Sequence, residues 1–135
     1  MSYPLTDLDG CDGEHAAALK AAGVRSTGTL LKRAKDAKGR KELSQLTGIG
    51  ERQLLCWANA CDRMRIKGMG KEYAELLQAA GVDTVKELKY RNPANLAKAM
   101  AEVNKKRKLV RFLPSEKAIV RWIDAAKTLP LMIKY

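Results

Sequence analysis

The sequence is poor in the residues from which metal centres, disulfide frameworks and base-stacking surfaces are built. It has one histidine, His15, and three cysteines that form no CxxC pair, so no metal site is expected. Aromatic residues make up only 5% of the chain, which argues against a platform that binds single strands by stacking. No apolar run could span a membrane. The odd cysteine count and the lack of an N-terminal apolar run predict a reducing, cytoplasmic location.

Catalytic arrangements are missing too. No spacing of carboxylates, nucleophiles and bases supports a reaction centre. The acidic cluster Asp7, Asp9, Asp12 and Glu14 fits a solvated loop or a protein contact surface better than a magnesium site. We therefore predict that the protein is not an enzyme and that it binds no cofactor.

Positive charge is what the chain has in excess. Its 135 residues include 26 Lys and Arg against 15 Asp and Glu, for a formal net charge of +11, which attracts polyanions. Two basic stretches stand out, at residues 32–41 and at residues 105–108 with Arg111. Each is explained either as a solvated surface or as part of a nucleic-acid-binding face.

The sequence also repeats itself. A shift of 58 residues aligns residues 8–16 with residues 66–74 and then matches Leu19 with Leu77, Gly23 with Gly81 and Leu30 with Leu88. A shift of 65 residues aligns Trp57 with Trp122. Self-similarity of this kind indicates a duplicated structural unit. We predict one copy at residues 1–64 and a second at 65–130, packed as one globule, with an apolar tail at 131–135.

The hydrophobic pattern is helical throughout and shows no strand alternation. Helices are predicted at residues 13–22, 27–36, 39–46, 51–65, 71–80, 84–89, 93–104 and 115–127. Candidate N-caps are Ser26, Thr84, Asn92 and Ser115, and two glycines, Gly23 and Gly81, are candidates for left-handed helix ends. The predicted fold class is all-α, with about eight helices and no sheet.

Four related turns are predicted ahead of helices. Turn two, Leu46-Thr47-Gly48-Ile49-Gly50, and turn three, Ile66-Lys67-Gly68-Met69-Gly70, each place an apolar residue between two glycines. Such a turn leaves the N–H groups of the next helix facing outward, where they can hold an anion. Turn one, residues 8–12, has Asp12 in place of the second glycine, and turn four, residues 113–116, has lost both glycines.

These turns resemble the helix-hairpin-helix family. Its motif runs apolar, any, glycine, apolar, glycine, then a small and an apolar residue at fixed spacing, and every slot is filled by Ile66, Gly68, Met69, Gly70, Ala74 and Leu77. The tandem arrangement more narrowly resembles a bacterial helix-hairpin-helix family of unknown function. The resemblance implies a duplicated, SAM-like helical unit that contacts the nucleic-acid backbone without reading its sequence.

The same resemblance implies which residues would contact phosphate. Turn three is the best candidate because Lys67 and Lys71 flank its glycines, whereas turn two is followed by Glu51, which would repel a phosphate. The acidic turn one is expected to be structural. The predicted nucleic-acid-binding residues are Gly48, Gly50, Arg52, Lys67, Gly68, Met69, Gly70 and Lys71.

Two functions remain open on the sequence alone. The first is a noncatalytic nucleic-acid-binding module whose partner is most simply duplex DNA. The second is a protein-interaction scaffold that uses the helical surface, the acidic turn one and the apolar tail. We expect the tail to fold back onto the core, and we expect Trp57 and Trp122 to be core residues rather than base-stacking residues. No membrane partner is expected, and the oligomeric state is open.

Overall fold

The computed structural model describes residues 2–135, which form eight α-helices and no β-strand. A 3-10 helix at Leu5–Asp7 precedes them, and one isolated β-bridge joins Pro4 to Ser26. The α-helices are α1 Gly13–Ala21, α2 Thr27–Arg33, α3 Ala37–Thr47, α4 Glu51–Met64, α5 Lys71–Ala79, α6 Val85–Leu88, α7 Pro93–Arg107 and α8 Glu116–Thr128. The predicted all-α fold class is confirmed. The main differences are that α2 is shorter than predicted and α7 is longer.

The helix ends are built as the sequence predicts. The side chains of Ser26, Thr84, Asn92 and Ser115 each accept a hydrogen bond from the backbone N–H three residues later. Gly23 and Gly81 adopt positive φ angles of 88° and 100°. Beyond them, Val24 donates to the Leu19 carbonyl and Val82 to the Leu77 carbonyl, as in a Schellman motif. The repeat-related helices α1 and α5 therefore end in the same way.

The chain forms two compact units. The first contains the residues up to Asp62 together with Met132–Tyr135, and the second contains Arg63–Leu131. In the first unit α3 packs against α1 and α2, and in the second α8 packs against α6 and α7, while α5 also packs against α7. Each unit buries one tryptophan, Trp57 in the first and Trp122 in the second, so both are core residues as expected.

The last residues are hydrogen-bonded to the rest of the first unit. The Lys134 N–H donates to the Lys35 carbonyl at 2.7 Å, and the Lys134 carbonyl accepts from the Arg40 guanidinium at 2.9 Å. The Tyr135 hydroxyl lies 2.7 Å from the Asn59 side-chain oxygen. The tail therefore folds back, as the sequence led us to expect.

Gly39→Ala should destabilise the protein by about 1–3 kcal/mol through overpacking, although alanine normally favours a helix over glycine. Gly39 is the third residue of α3, and a Cβ there would overlap the carbonyl oxygen of Arg33, the last residue of α2. Urea unfolding measures the effect. The control is Gly13→Ala in α1, where a Cβ meets no atom within 4 Å. A Gly39→Ala protein as stable as wild type would contradict the close approach of α2 and α3.

Candidate functional site

Turn three is a compact turn between α4 and α5. The Met69 N–H donates to the Ile66 carbonyl at 3.0 Å, and Gly68 has a φ of 82°, the arrangement of a type II turn. Ile66 and Met69 are buried, whereas Lys67 and Gly68 are exposed. Trp122 lies beneath the turn, because a Cβ on Gly68 would be 3.7 Å from its indole nitrogen. The apolar residues thus anchor the turn while its polar face stays open.

Helix α5 begins without a side-chain cap. Its N-cap is Gly70, with φ 49° and ψ 175°, a conformation that is essentially restricted to glycine. The first N–H groups of a helix have no intrahelical acceptor, and the helix dipole adds positive potential there. The first residue of α5, Lys71, is exposed. The start of α5 therefore combines open N–H donors with a lysine on each side of the Gly68 to Gly70 segment.

Turn one has the same type II turn as turn three, but its helix N-cap is an aspartate with a negative φ of −80°. The Cys11 N–H donates to the Leu8 carbonyl at 3.0 Å, and Gly10 has a φ of 79°. The Asp12 carboxylate accepts from the His15 backbone N–H at 2.9 Å and lies 2.8 Å from the His15 ring nitrogen. The hydrogen bond from the His15 N–H is the main reason that the pKa of Asp12 is lowered. The Asp12 carboxylate therefore occupies the acceptor position at the start of α1.

Turn two departs from the predicted geometry. Helix α3 runs on to Thr47, and Gly48 is its left-handed C-cap, with its N–H donating to the Ser44 carbonyl at 2.8 Å. The Gly48 N–H therefore already donates within the chain, and its contact with phosphate stays a prediction. Leu46, which fills the first apolar slot of the motif, lies in the last turn of α3 and is 65% exposed.

The remaining site residues of turn two lie near the start of α4. Gly50 and Arg52 are exposed, and so is the acidic Glu51 between them. The carbonyl of Gly50 accepts from the Leu54 N–H, so Gly50 stands at the N-cap position, where it has no side chain to offer. These residues belong to the first compact unit, whereas residues 67–71 belong to the second.

The four turns divide into two kinds. Asp12 and Ser115 cap their helices with a side-chain oxygen, whereas the repeat-related positions hold Gly70 and Gly50. Each repeat-related pair therefore has one turn whose N-cap side chain accepts from a backbone N–H of the helix and one whose glycine N-cap offers no side-chain acceptor.

The two basic stretches also differ. In the first, Arg33 donates to the Ala22 carbonyl at 3.0 Å, and Arg40, only 5% exposed, donates to the Ala34 and Lys134 carbonyls. Residues 32–41 are therefore not solvated throughout, because both arginines bond backbone carbonyls. The second stretch is exposed throughout, at Lys105, Lys106, Arg107, Lys108 and Arg111.

Sequence reasoning missed the surface aromatics. Tyr90, Phe112 and Tyr135 are exposed by 75%, 72% and 69%. A single phenylalanine beside an arginine gives no sequence signal that separates an exposed ring from a buried one. Its exposure follows from the path of the loop between α7 and α8.

The described residues contain no sign of a metal centre or a membrane span. Between Ser2 and Tyr135, no group of three or more His, Cys, Asp or Glu side chains is placed to hold a metal ion. Over the same residues, every helix is too short or too polar to cross a bilayer.

Comparison with known proteins gives a family without an assigned activity. A family model described as Domain of unknown function (DUF4332) matches residues 10–129. No curated protein matches the chain, and neither does any solved structure. The matched range begins in turn one and ends just beyond α8, so it takes in all eight α-helices. The chain belongs to the family described as Domain of unknown function (DUF4332).

Proposed function

We propose that the chain is a noncatalytic nucleic-acid-binding protein that holds the backbone of duplex DNA through turn three. In this proposal the turns are helix-hairpin-helix elements, two of which, turns one and four, have become purely structural. The observation that carries the proposal is the glycine N-cap of α5, which has no side-chain acceptor and is flanked by exposed Lys67 and Lys71.

A backbone phosphate suits this place for three physical reasons. It accepts hydrogen bonds from the open N–H groups at the start of α5, its charge is stabilised by the helix dipole, and the two lysines add ionic attraction. A side chain at Gly70 would crowd the approach, and none is present. Because phosphates are alike along the chain, such contacts give affinity without sequence preference.

The charge of the whole protein supports the same partner. A net charge of +11 raises the rate of encounter with any polyanion. The exposed residues of the second basic stretch, Lys105 to Lys108 and Arg111, belong to the same compact unit as turn three. Binding that depends on such contacts releases counterions and weakens steeply as salt rises.

Lys67→Glu/Lys71→Glu should weaken binding to duplex DNA by about 10- to 100-fold at low salt, as expected for the loss of charge-assisted hydrogen bonds. The slope of log affinity against log salt should flatten by about 1 to 2. Fluorescence anisotropy of labelled duplex at several salt concentrations measures both quantities.

The matched control is Lys20→Glu/Lys98→Glu, which makes the same change in net charge at exposed helix positions away from the four turns. It should lower affinity much less than the turn three variant. Equal losses in the two variants would show that only net charge matters. No binding of wild type to duplex at low salt would reject the function and leave a protein-interaction scaffold.

A further inference from the structure

The loop between α7 and α8, residues 108–115, presents an aromatic ring near the start of α5. The carbonyl of Phe112 accepts a hydrogen bond from the Tyr73 hydroxyl at 3.1 Å, and Tyr73 lies in the first turn of α5. The Tyr73 ring in turn packs on Trp122, with centroids 5.4 Å apart. Since Trp122 also lies beneath Gly68, the backbone of Phe112 is tied to turn three by a short chain of contacts.

The part of the loop before Arg111 is also fixed by hydrogen bonds. The side chain of Asn104 both donates to the Val110 carbonyl, at 3.1 Å, and accepts from the Val110 N–H, at 3.0 Å. Val110 itself is buried. Fixed backbone on both sides of Arg111 means that ordering this segment costs little further conformational entropy when a ligand binds.

The ring of Phe112 is 72% exposed in spite of this fixed backbone. The guanidinium of Arg111 lies 5.6 Å from the ring centroid, within cation-π range. An exposed aromatic ring with a cation over it can stack on an unpaired nucleobase through its other face, while the cation neutralises the neighbouring phosphate. A protein that contacts only the duplex backbone gains nothing from such a ring, because the bases of a duplex are already stacked on one another.

We propose that Phe112 stacks on an unpaired base next to the duplex held by turn three. The preferred ligand is then a duplex with a single-stranded overhang or a locally opened segment, rather than a continuous duplex. This inference rests on the proposed function, because turn three must hold the neighbouring backbone for the ring to reach a base.

The experiment compares a blunt duplex, the same duplex with a single-stranded overhang, and one whose overhang lacks bases. We expect wild type to bind the overhang duplex about 5- to 150-fold more tightly than the blunt one, the range that one stacked base supplies. Removing the overhang bases should abolish that advantage, and so should Phe112→Ala. Phe112→Trp should keep it. Blunt-duplex affinity should be the same in wild type and Phe112→Ala.

Tyr90→Ala is the matched control, since Tyr90 is equally exposed and has the Lys89 ammonium 5.3 Å from its ring centroid. It should keep the full advantage of the overhang. An advantage that survives Phe112→Ala, while Lys67→Glu/Lys71→Glu still weakens blunt-duplex binding, would overturn the stacking role and leave the proposed function standing. Failure of wild type to bind any of the three ligands would overturn both.

Discussion

Trp57→Ala should destabilise the protein by about 3–5 kcal/mol, the usual cost of truncating a buried tryptophan. The indole is almost fully buried, and its nitrogen donates to the Asp9 carbonyl at 2.8 Å. The ring also makes an edge contact with His15, with centroids 5.5 Å apart. Truncation therefore removes the contact of the indole with His15 of α1 and leaves the Asp9 carbonyl without its donor. Urea unfolding followed by circular dichroism measures the loss.

Two further variants separate the components of this loss. Trp57→Phe keeps most of the apolar ring but not the hydrogen bond to Asp9, and should cost about 1 kcal/mol for that bond. Tyr90→Ala removes an aromatic ring that is mostly in water and should change stability by less than about 0.5 kcal/mol. If Trp57→Ala were as mild as Tyr90→Ala, the indole would not be a core residue, and a surface role would have to be considered again.

The helices could be predicted because their signals are local. An N-cap such as Ser26 or Asn92 and a left-handed glycine such as Gly81 act within one helical turn, so a few neighbouring residues decide the outcome. The repeat strengthens the prediction, because the two copies align and equivalent positions carry the same signals. The burial of Trp57 and Trp122 followed from their equivalent places in the alignment.

Features that depend on contacts distant in sequence were not predictable. Arg40 is buried and donates to the Lys134 carbonyl, 94 residues away. Nothing in the neighbouring sequence distinguishes this buried arginine from the exposed lysines around it. In the sequence Gly39 is an ordinary helix residue, and only the structure shows that the end of α2 lies too close to it for a side chain. Phe112 is exposed because of its loop, and no periodic pattern covers a loop.

In the candidate site, too, some features could be predicted from the sequence and others could not. In turn three the Met69 N–H bonds the Ile66 carbonyl and Gly68 has a positive φ, which is the sharp turn that its glycines predicted. Turn two carries the same glycine spacing, yet α3 extends through Thr47 and uses Gly48 as its end, which occupies the N–H that the motif had assigned to phosphate. Whether a Gly-x-Gly segment forms an open turn or ends a helix depends on how far the preceding helix continues, and spacing does not encode that.

Arg40→Ala should lower the free energy of unfolding by about 3–6 kcal/mol, because it deletes two hydrogen bonds from a buried guanidinium, each expected to contribute about 1.5–3 kcal/mol. The two bonds reach the Ala34 and Lys134 carbonyls, both at 2.9 Å. Arg40→Lys should recover only part of the loss, since an ammonium cannot span both acceptors as a planar fork does. The tail should also loosen, so carboxypeptidase should remove Tyr135 faster.

Lys41→Ala is the matched control, because it removes the same charge from the next position, where the side chain is exposed. It should change stability by less than about 0.5 kcal/mol. At temperatures where both variants are folded, Arg40→Ala should leave the salt dependence of DNA binding as in wild type, since a guanidinium that donates to two internal carbonyls does not release counterions from DNA. A variant that binds DNA more weakly yet unfolds like wild type would instead place Arg40 on the basic surface, and would contradict the anchoring of the tail.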